Sequence, residues 1–345
     1  MIGVLGMRVR LKDIAEDLNL SKMTISKVLR GQTDISDETK ARVLKRVKEL
    51  KYIPNISASS LRTGQTKTIG LVLPSIGSPF LSDIVGGVDK AVNSESYGLI
   101  VASSQDDPDF EQRQIEIFLS LQVDALLVVS VQETGTFSEL MQAAKRIPVV
   151  YVHQKPPETA GSFVGIHDEE VGRIACAHLI QCGCRRIAYL RGPRTAVGDT
   201  RANGYRQALI EHGLAVQPDL VIESMHPEES EYKRGYEATM RLLSRRGRPD
   251  GVMAYTDMMA IGAMDAAAGK GTRIPEEMRF VGCGDDPLLC AMKVPLTSIN
   301  IGGCEVGTKA AQLALRAIGN GPRKAMHKIL VKPGLVRRKS SARQR

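Results

Sequence analysis

The chain has 345 residues, of which 43% are hydrophobic and 25% charged, with a formal net charge of +9. That length exceeds one ordinary core and allows two or three, and no apolar stretch approaches the roughly 20 residues of a membrane-spanning helix, so no membrane partner is expected. The charge is uneven: residues 1–65 hold 13 Lys/Arg against 7 Asp/Glu, residues 337–345 hold 5 basic residues and no acid, and residues 66–336 hold 29 against 31, the distribution expected when one module meets phosphate.

Met1 to Met7 is apolar but too short for a signal peptide, and Arg8 and Arg10 follow it directly. A cytoplasmic protein is expected, with Met7 as an alternative start. Three short helices are predicted before residue 52. The first spans roughly Lys12–Leu18, with Ile14, Ala15 and Leu18 on one face. Asn19 then turns the chain in the left-handed region that asparagine tolerates. Ser21 caps the second helix, Lys22–Arg30, whose Ile25, Val28 and Leu29 point inward at helical spacing. Gly31 ends it. Ser36 caps a third helix with Asp37 and Glu38 in its first turn, where the helix dipole favours them. Val43, Val47 and Leu50 form its apolar stripe, and Pro54 stops it.

Residues 55–67 read as a linker with a short helical centre, marginal by itself in water. Beyond residue 68 short apolar runs alternate with helical patterns. The expected strands are Thr68–Pro74, Gly98–Ser103, Ala125–Ser130, Pro148–His153, Arg186–Gly192, Leu220–Ser224, Gly251–Tyr255 and Arg279–Gly284. Continuous apolarity marks strands covered on both faces, hence doubly wound α/β lobes with parallel sheets. About eight strands fit two sheets better than one. The six cysteines show no C-x-x-C pair and read as reduced thiols. Cys182, Cys184 and His178 lie close in sequence, but their spacing fits no usual zinc pattern. No metal or cofactor is expected.

On the second helix Lys22, Ser26 and Arg30 lie at i, i+4, i+8, with Met23 and Lys27 beside them. A stripe of donors suits the major groove, where guanine offers O6 and N7. A solvated basic face on an ordinary helix offers the same stripe. The adjoining turn, the caps and the charge asymmetry favour DNA.

Residues Leu11 to Ala15 and Leu20 to Leu29, with Tyr52-Ile53-Pro54-Asn55 and Ala58 to Arg62, resemble the helix-turn-helix and hinge of the lactose and galactose repressor family. The resemblance covers nearly the whole chain. It implies base contacts from Lys22, Met23 and Lys27, with a base or phosphate contact from Ser26. It implies phosphate contacts from Arg10, Lys12, Ser21, Thr24 and Arg30. Asn55 and Ala58 fall on the hinge, and Leu61 matches a leucine that wedges into the minor groove. Lys27 stands where arginine is common, and a lysine cannot fork onto guanine. Asn19 stands where glycine is usual.

The later segments resemble the family's sensing core, which is similar to periplasmic sugar-binding proteins. In open α/β sheets ligands sit beyond the carboxyl ends of the strands. The resemblance implies an effector cleft with Phe80 against the ligand, Arg201 hydrogen-bonding it, Thr256 and Asp257 at a corner, and His153 on the rim. A helix cap is the competing reading for Asp257, a surface ion pair for Arg201, and a plain strand end for His153. Gly284 occupies the position of an expected aspartate, with Asp285 as a substitute from the next residue.

The expected domains are a helix-turn-helix at 8–54, a hinge at 55–67, a two-lobed effector and dimerisation domain at 68–336, and a basic tail at 337–345 without fixed structure. Lobe 1 is expected to take 68–155 and 298–325, and lobe 2 to take 156–297 and 326–336. The resemblance implies a homodimer on a near-palindromic double-stranded operator, controlled by a small-molecule effector, with sugars and their derivatives common in the family. Repression is the commoner outcome there; an effector-dependent activator and a binding protein without a regulatory role are the alternatives. No nucleophile elbow, P-loop or dinucleotide fingerprint is found, and no enzyme is expected.

Overall fold

The computed structural model describes residues 9–29, 31–52, 64–131, 138–154, 161–192, 195–223, 229–318 and 326–342. The chain divides into two compact units, 1–66 and 67–345.

In the first unit the helices are α1 (Leu11–Asp17), α2 (Lys22–Leu29) and α3 (Asp37–Glu49). Each boundary has a local cause. Asn19 turns with φ 54° and Gly31 with φ 68°. The Ser21 hydroxyl accepts the Thr24 N–H at 3.0 Å, and Ser36 accepts that of Thr39 at 3.4 Å. Ile14, Ala15, Ile25, Val28 and Val43 form the buried core, with Leu18, Leu29, Val47 and Leu50 packed around it. Arg46 on α3 pairs with Asp17 at the end of α1 and with Glu49.

The second unit holds two six-stranded sheets. The first runs β11-β5-β4-β3-β1-β2 and is parallel throughout; the second runs β12-β10-β9-β8-β6-β7, parallel except for the β10–β12 pair. The first comprises β1 (Thr68–Leu73), β2 (Gly98–Ser103), β3 (Ala125–Val128), β4 (Val149–Val152), β5 (Ser162–Ile166) and β11 (Lys328–Val331). The second comprises β6 (Ile187–Arg191), β7 (Val221–Glu223), β8 (Gly251–Ala254), β9 (Arg279–Cys283), β10 (Thr297–Asn300) and β12 (Gly334–Val336). The eight expected strands are all present. β5, β10, β11 and β12 were not anticipated.

These four strands correct the lobe boundaries. β5 pairs with β4 and with β11, so lobe 1 extends past residue 155 and includes 328–331. β10 lies beside β9 in the second sheet, so lobe 2 runs past residue 297. The chain therefore changes lobe after β5, after β10 and between β11 and β12.

The expected loose tail is also corrected. Ser340 and Ser341 are fully buried. The Phe280 N–H donates to the Ser340 carbonyl at 3.0 Å, and the Thr297 N–H donates to the Ser340 hydroxyl at 2.8 Å. Ser341 Oγ lies 2.7 Å from Thr297 Oγ1 and 2.8 Å from His178 Nε2. Backbone pairing outweighs the basic composition, and residues 337–342 belong to lobe 2.

Helices cover the sheets: α4 (Pro79–Ser94), α5 (Pro108–Ser120), α6 (Ser138–Arg146), α7 (Asp168–Gln181), α8 (Ala196–Glu211), α9 (Glu231–Leu243), α10 (Asp257–Gly269) and α11 (Gly303–Ile318). Three pairs cross unusually closely, and each crossing uses a glycine from both helices. A Cβ on Gly87 of α4 would lie 2.1 Å from the Cys304 carbonyl oxygen, and one on Gly307 of α11 would lie 2.1 Å from that of Ile84. The α7–α8 pair uses Gly172 and Gly204, where an added Cβ would lie 2.0 Å from the Arg201 carbonyl oxygen and 1.8 Å from that of Glu169 respectively. Gly235 and Gly262 do the same for α9 and α10. Any side chain there would force the backbones apart.

Candidate functional site

The first candidate surface is α2. Ile25 and Val28 anchor one side of it in the core. Lys22 and Met23 point outward, Met23 with 65% of its surface exposed. Ser26 and Lys27 are only half-exposed, not fully outward as the helical stripe suggested. The Lys27 ammonium pairs with Asp34 in the α2–α3 loop. Ser21 is exposed and Thr24 half-buried, their hydroxyl oxygens 2.9 Å apart. Arg10 and Lys12 are exposed at the start of α1, with Lys12 4.0 Å from Glu16. Arg30, Asn55, Ala58 and Leu61 lie outside the described residues.

The second candidate site lies at the carboxyl ends of strands from both sheets. Phe80 opens α4 just beyond β1, and His153 follows β4 with φ 61°. Their rings meet edge to face at 4.9 Å. His153 is 9% exposed, and its Nδ1 has no hydrogen-bond partner among the described residues. Burial holds its pKa down at about 4; Asp168 opposes that shift and Arg201 adds to it, so the ring is neutral at pH 7. Its electrostatic neighbours Asp168 and Arg201 belong to α7 and α8, which pack against the second sheet.

Arg201 is 3% exposed, so its ion pair is buried and not the surface pair considered above. Its Nε donates to Asp168 Oδ1 at 2.8 Å, and its Nη1 to the Tyr255 carbonyl at 3.1 Å and to Cys283 Sγ at 3.4 Å. The guanidinium stacks over the Tyr255 ring at 4.7 Å. The glycine-lined α7–α8 crossing sets this pair: Gly172 packs on the Arg201 carbonyl and Gly204 on that of Glu169. Asp168 and Tyr255 thus join the site although sequence reasoning missed them. Burial pushes the neighbouring Cys283 thiol up to about 12, so it stays protonated.

Thr256 caps α10, accepting the Met259 N–H at 3.3 Å and donating to Glu231 at 2.9 Å. Asp257 is buried, and both its oxygens are engaged: Oδ1 accepts the Ser298 hydroxyl at 2.6 Å and Oδ2 the Asp286 N–H at 3.1 Å. Burial raises its pKa, and these hydrogen bonds work against that. A Cβ on Gly284, with φ 136°, would lie 2.8 Å from Asp257 Oδ2. The missing aspartate at 284 is therefore accompanied by Asp257 closing over that position. Asp285 does not substitute freely: Arg338 and Asn300 donate to its two oxygens at 2.6 and 2.9 Å. Asp83 on α4 has its pKa raised by burial and by the negative charges of Asp286 and Asp285 on the opposite lobe.

Phe80, His153 and Arg201 thus converge with Asp168 and Tyr255, while Thr256, Asp257 and Asp285 mainly brace the strand ends of lobe 2. Among the described residues no cluster of His, Cys, Asp and Glu could hold a metal, and no helix is long and apolar enough to cross a membrane.

Known proteins match both units. Residues 10–55 match the bacterial regulatory proteins of the lacI family, and residues 176–341 match a periplasmic binding protein-like domain. A protein named HTH-type transcriptional repressor PurR, from Mannheimia succiniciproducens, is 30% identical over 332 residues, covering 96% of this chain and 98% of its own. The ribose operon repressor of Haemophilus influenzae is 30% identical over 331 residues, with the same coverage. Among solved structures, the transcriptional regulator CelR in complex with cellobiose superposes with a TM-score of 0.71 at 28% identity, covering 96% of this chain and all of its own. The Lac repressor dimer bound to operator and the anti-inducer ONPF shares the fold, with a TM-score of 0.84 at 23% identity, covering 97% of this chain and 99% of its own. A helix-turn-helix joined to a two-lobed periplasmic-binding-protein-like unit, matched along almost its full length, makes this chain a member of the lacI family of DNA-binding transcription regulators.

Proposed function

We propose that the chain is a cytoplasmic repressor that binds a near-palindromic operator as a dimer and is controlled by a small molecule held between its lobes. The observation that carries the DNA role is the division of α2: Ile25 and Val28 are sealed in the core while Lys22 and Met23 stand in solvent. A helix anchored on one side is a rigid probe for the major groove, with its N-terminal residues nearest the bases. Lys22, Met23 and Lys27 read bases in this account. Arg10, Lys12, Ser21, Thr24, Ser26 and Arg30 hold the flanking backbone. Asn55, Ala58 and Leu61 serve the hinge, with Leu61 as the minor-groove wedge.

The effector role is supported by the unpartnered His153 Nδ1 beside the Phe80 ring and the Asp168–Arg201 pair. A buried polar atom without a partner is expensive, and a ligand bridging the lobes would satisfy it. Arg201, Thr256, Asp257 and Asp285 form the opposing wall. Ligand closure would shift the spacing of the two hinges in the dimer and with it operator affinity, and the coupling is reciprocal. The protein acts by binding and not by turnover. Selection of sites from random duplex DNA, repeated with a panel of metabolites, tests the whole account: one enriched palindrome whose recovery changes with one metabolite is expected, and recovery of unenriched sequence would reject it.

A further inference from the structure

Lys27 does not stand alone on the reading face of α2. Its ammonium contacts a carboxylate oxygen of Asp34, seven residues further on in the α2–α3 loop. The side chains remain 33% and 54% exposed, so both stay open to solvent. The hydrogen bond from Lys27 holds the Asp34 carboxyl below its ordinary range, and Lys40 adds a smaller pull in the same direction. Lys22, at the other end of the stripe, is exposed and has no ion-pair partner among the described residues. One lysine of the helix is therefore compensated and the other is not.

An exposed ion pair adds little to stability, so this pairing matters for where the charge sits. Lysine is a point charge on a flexible four-carbon stem, and an unrestrained one swings to the nearest phosphate. Each phosphate neutralised releases counterions and strengthens binding to any sequence alike. A carboxylate beside Lys27 opposes that outcome in two ways: it fixes the stem, and it repels the backbone.

We propose that Asp34 is a positioning residue for sequence reading, holding the Lys27 ammonium away from backbone phosphates and so widening the gap between operator and unrelated duplex. The inference rests on the DNA-reading role of α2 given above. It is tested with the intact protein on a duplex selected from random DNA and on a scrambled duplex, across a salt series.

Asp34→Asn is expected to tighten binding to the scrambled duplex roughly three- to tenfold at low salt and to steepen its salt slope by about 0.9. The selected duplex should change much less, so discrimination falls. Asp34→Glu should restore the wild-type ratio, and Lys27→Met in the Asp34→Asn background should abolish the gain. Unchanged slope and ratio in Asp34→Asn would overturn the proposal. So would equal weakening on both duplexes, which marks a loop that merely lost its shape. If the wild-type protein prefers no selected sequence, the α2 reading fails and Asp34's role fails with it.

Discussion

The two candidate sites are built in opposite ways. On α2 the functional groups are sequence neighbours, and Lys22 and Met23 turn outward from a core that the same helix supplies. In the cleft the interacting groups come from α4, α7, α8, α10 and the ends of β4, β8 and β9, and they turn toward one another. The outward surface can meet its partner without rearrangement. The inward one is largely satisfied by itself, through the Asp168–Arg201 and Asp257–Ser298 contacts, with the His153 Nδ1 left over.

The largest expected effect breaks the inward site. Arg201→Met leaves Asp168 buried without its partner and should destabilise the second unit by about 3–5 kcal/mol. Adding Asp168→Leu should recover most of that loss, and a double-mutant cycle in urea measures the coupling. Additive losses would mean that the pair is not the brace described here. Next, Gly204→Ala should lower stability by about 3 kcal/mol, because its Cβ meets the Glu169 carbonyl oxygen at 1.8 Å. An unchanged urea midpoint would show that α7 and α8 can separate without penalty.

Acid acts on the second unit through its buried histidines. His153 and His178 both have pKa values held at about 4 by burial, with Arg201 and Arg337 respectively contributing. The unfolded chain takes up these protons near pH 6.5 and the folded chain does not, so stability is full above that pH and declines toward pH 4. The decline should be on the order of 2–3 kcal/mol per histidine. His153→Leu should flatten it in urea titrations of the second unit, whereas an unaltered pH profile would remove His153 from the account. The smallest effect concerns the outward surface: Lys27→Ala should weaken specific DNA binding by about 1–3 kcal/mol with no change in melting temperature. Equal operator affinity would take Lys27 out of the reading set.

What was legible in the sequence follows the same division. Ser21 to Leu29 announces itself because its cap, its inward spacing and its polar stripe fall within nine consecutive residues. The strands with continuous apolar runs were equally plain. β5, β10, β11 and β12 were not: β5 and β10 carry serine, threonine or glycine within their short runs, β11 and β12 are partly exposed, and only the sheet itself reveals their pairing. Asp168 was hidden because an acid in the first turn of a helix reads as an ordinary dipole partner. Its true partner lies 33 residues away. The available signal was the glycine spacing, Asp168 to Gly172 and Arg201 to Gly204, which marks two helices in backbone contact at the level of both side chains. Charge composition misled at the C-terminus, where Ser340 and Ser341 are stitched into the second sheet's lobe despite the arginines around them.

In the proposed complex the solvent side of α2 docks in the major groove. The decisive experiment is footprinting of the intact protein on a selected duplex at low salt. Protection of two half-sites roughly 10 base pairs apart, or a multiple of that spacing, is expected, with methylation of guanine N7 inside them blocking the complex. Absence of protection, or binding indifferent to N7 methylation throughout the protected region, would contradict it.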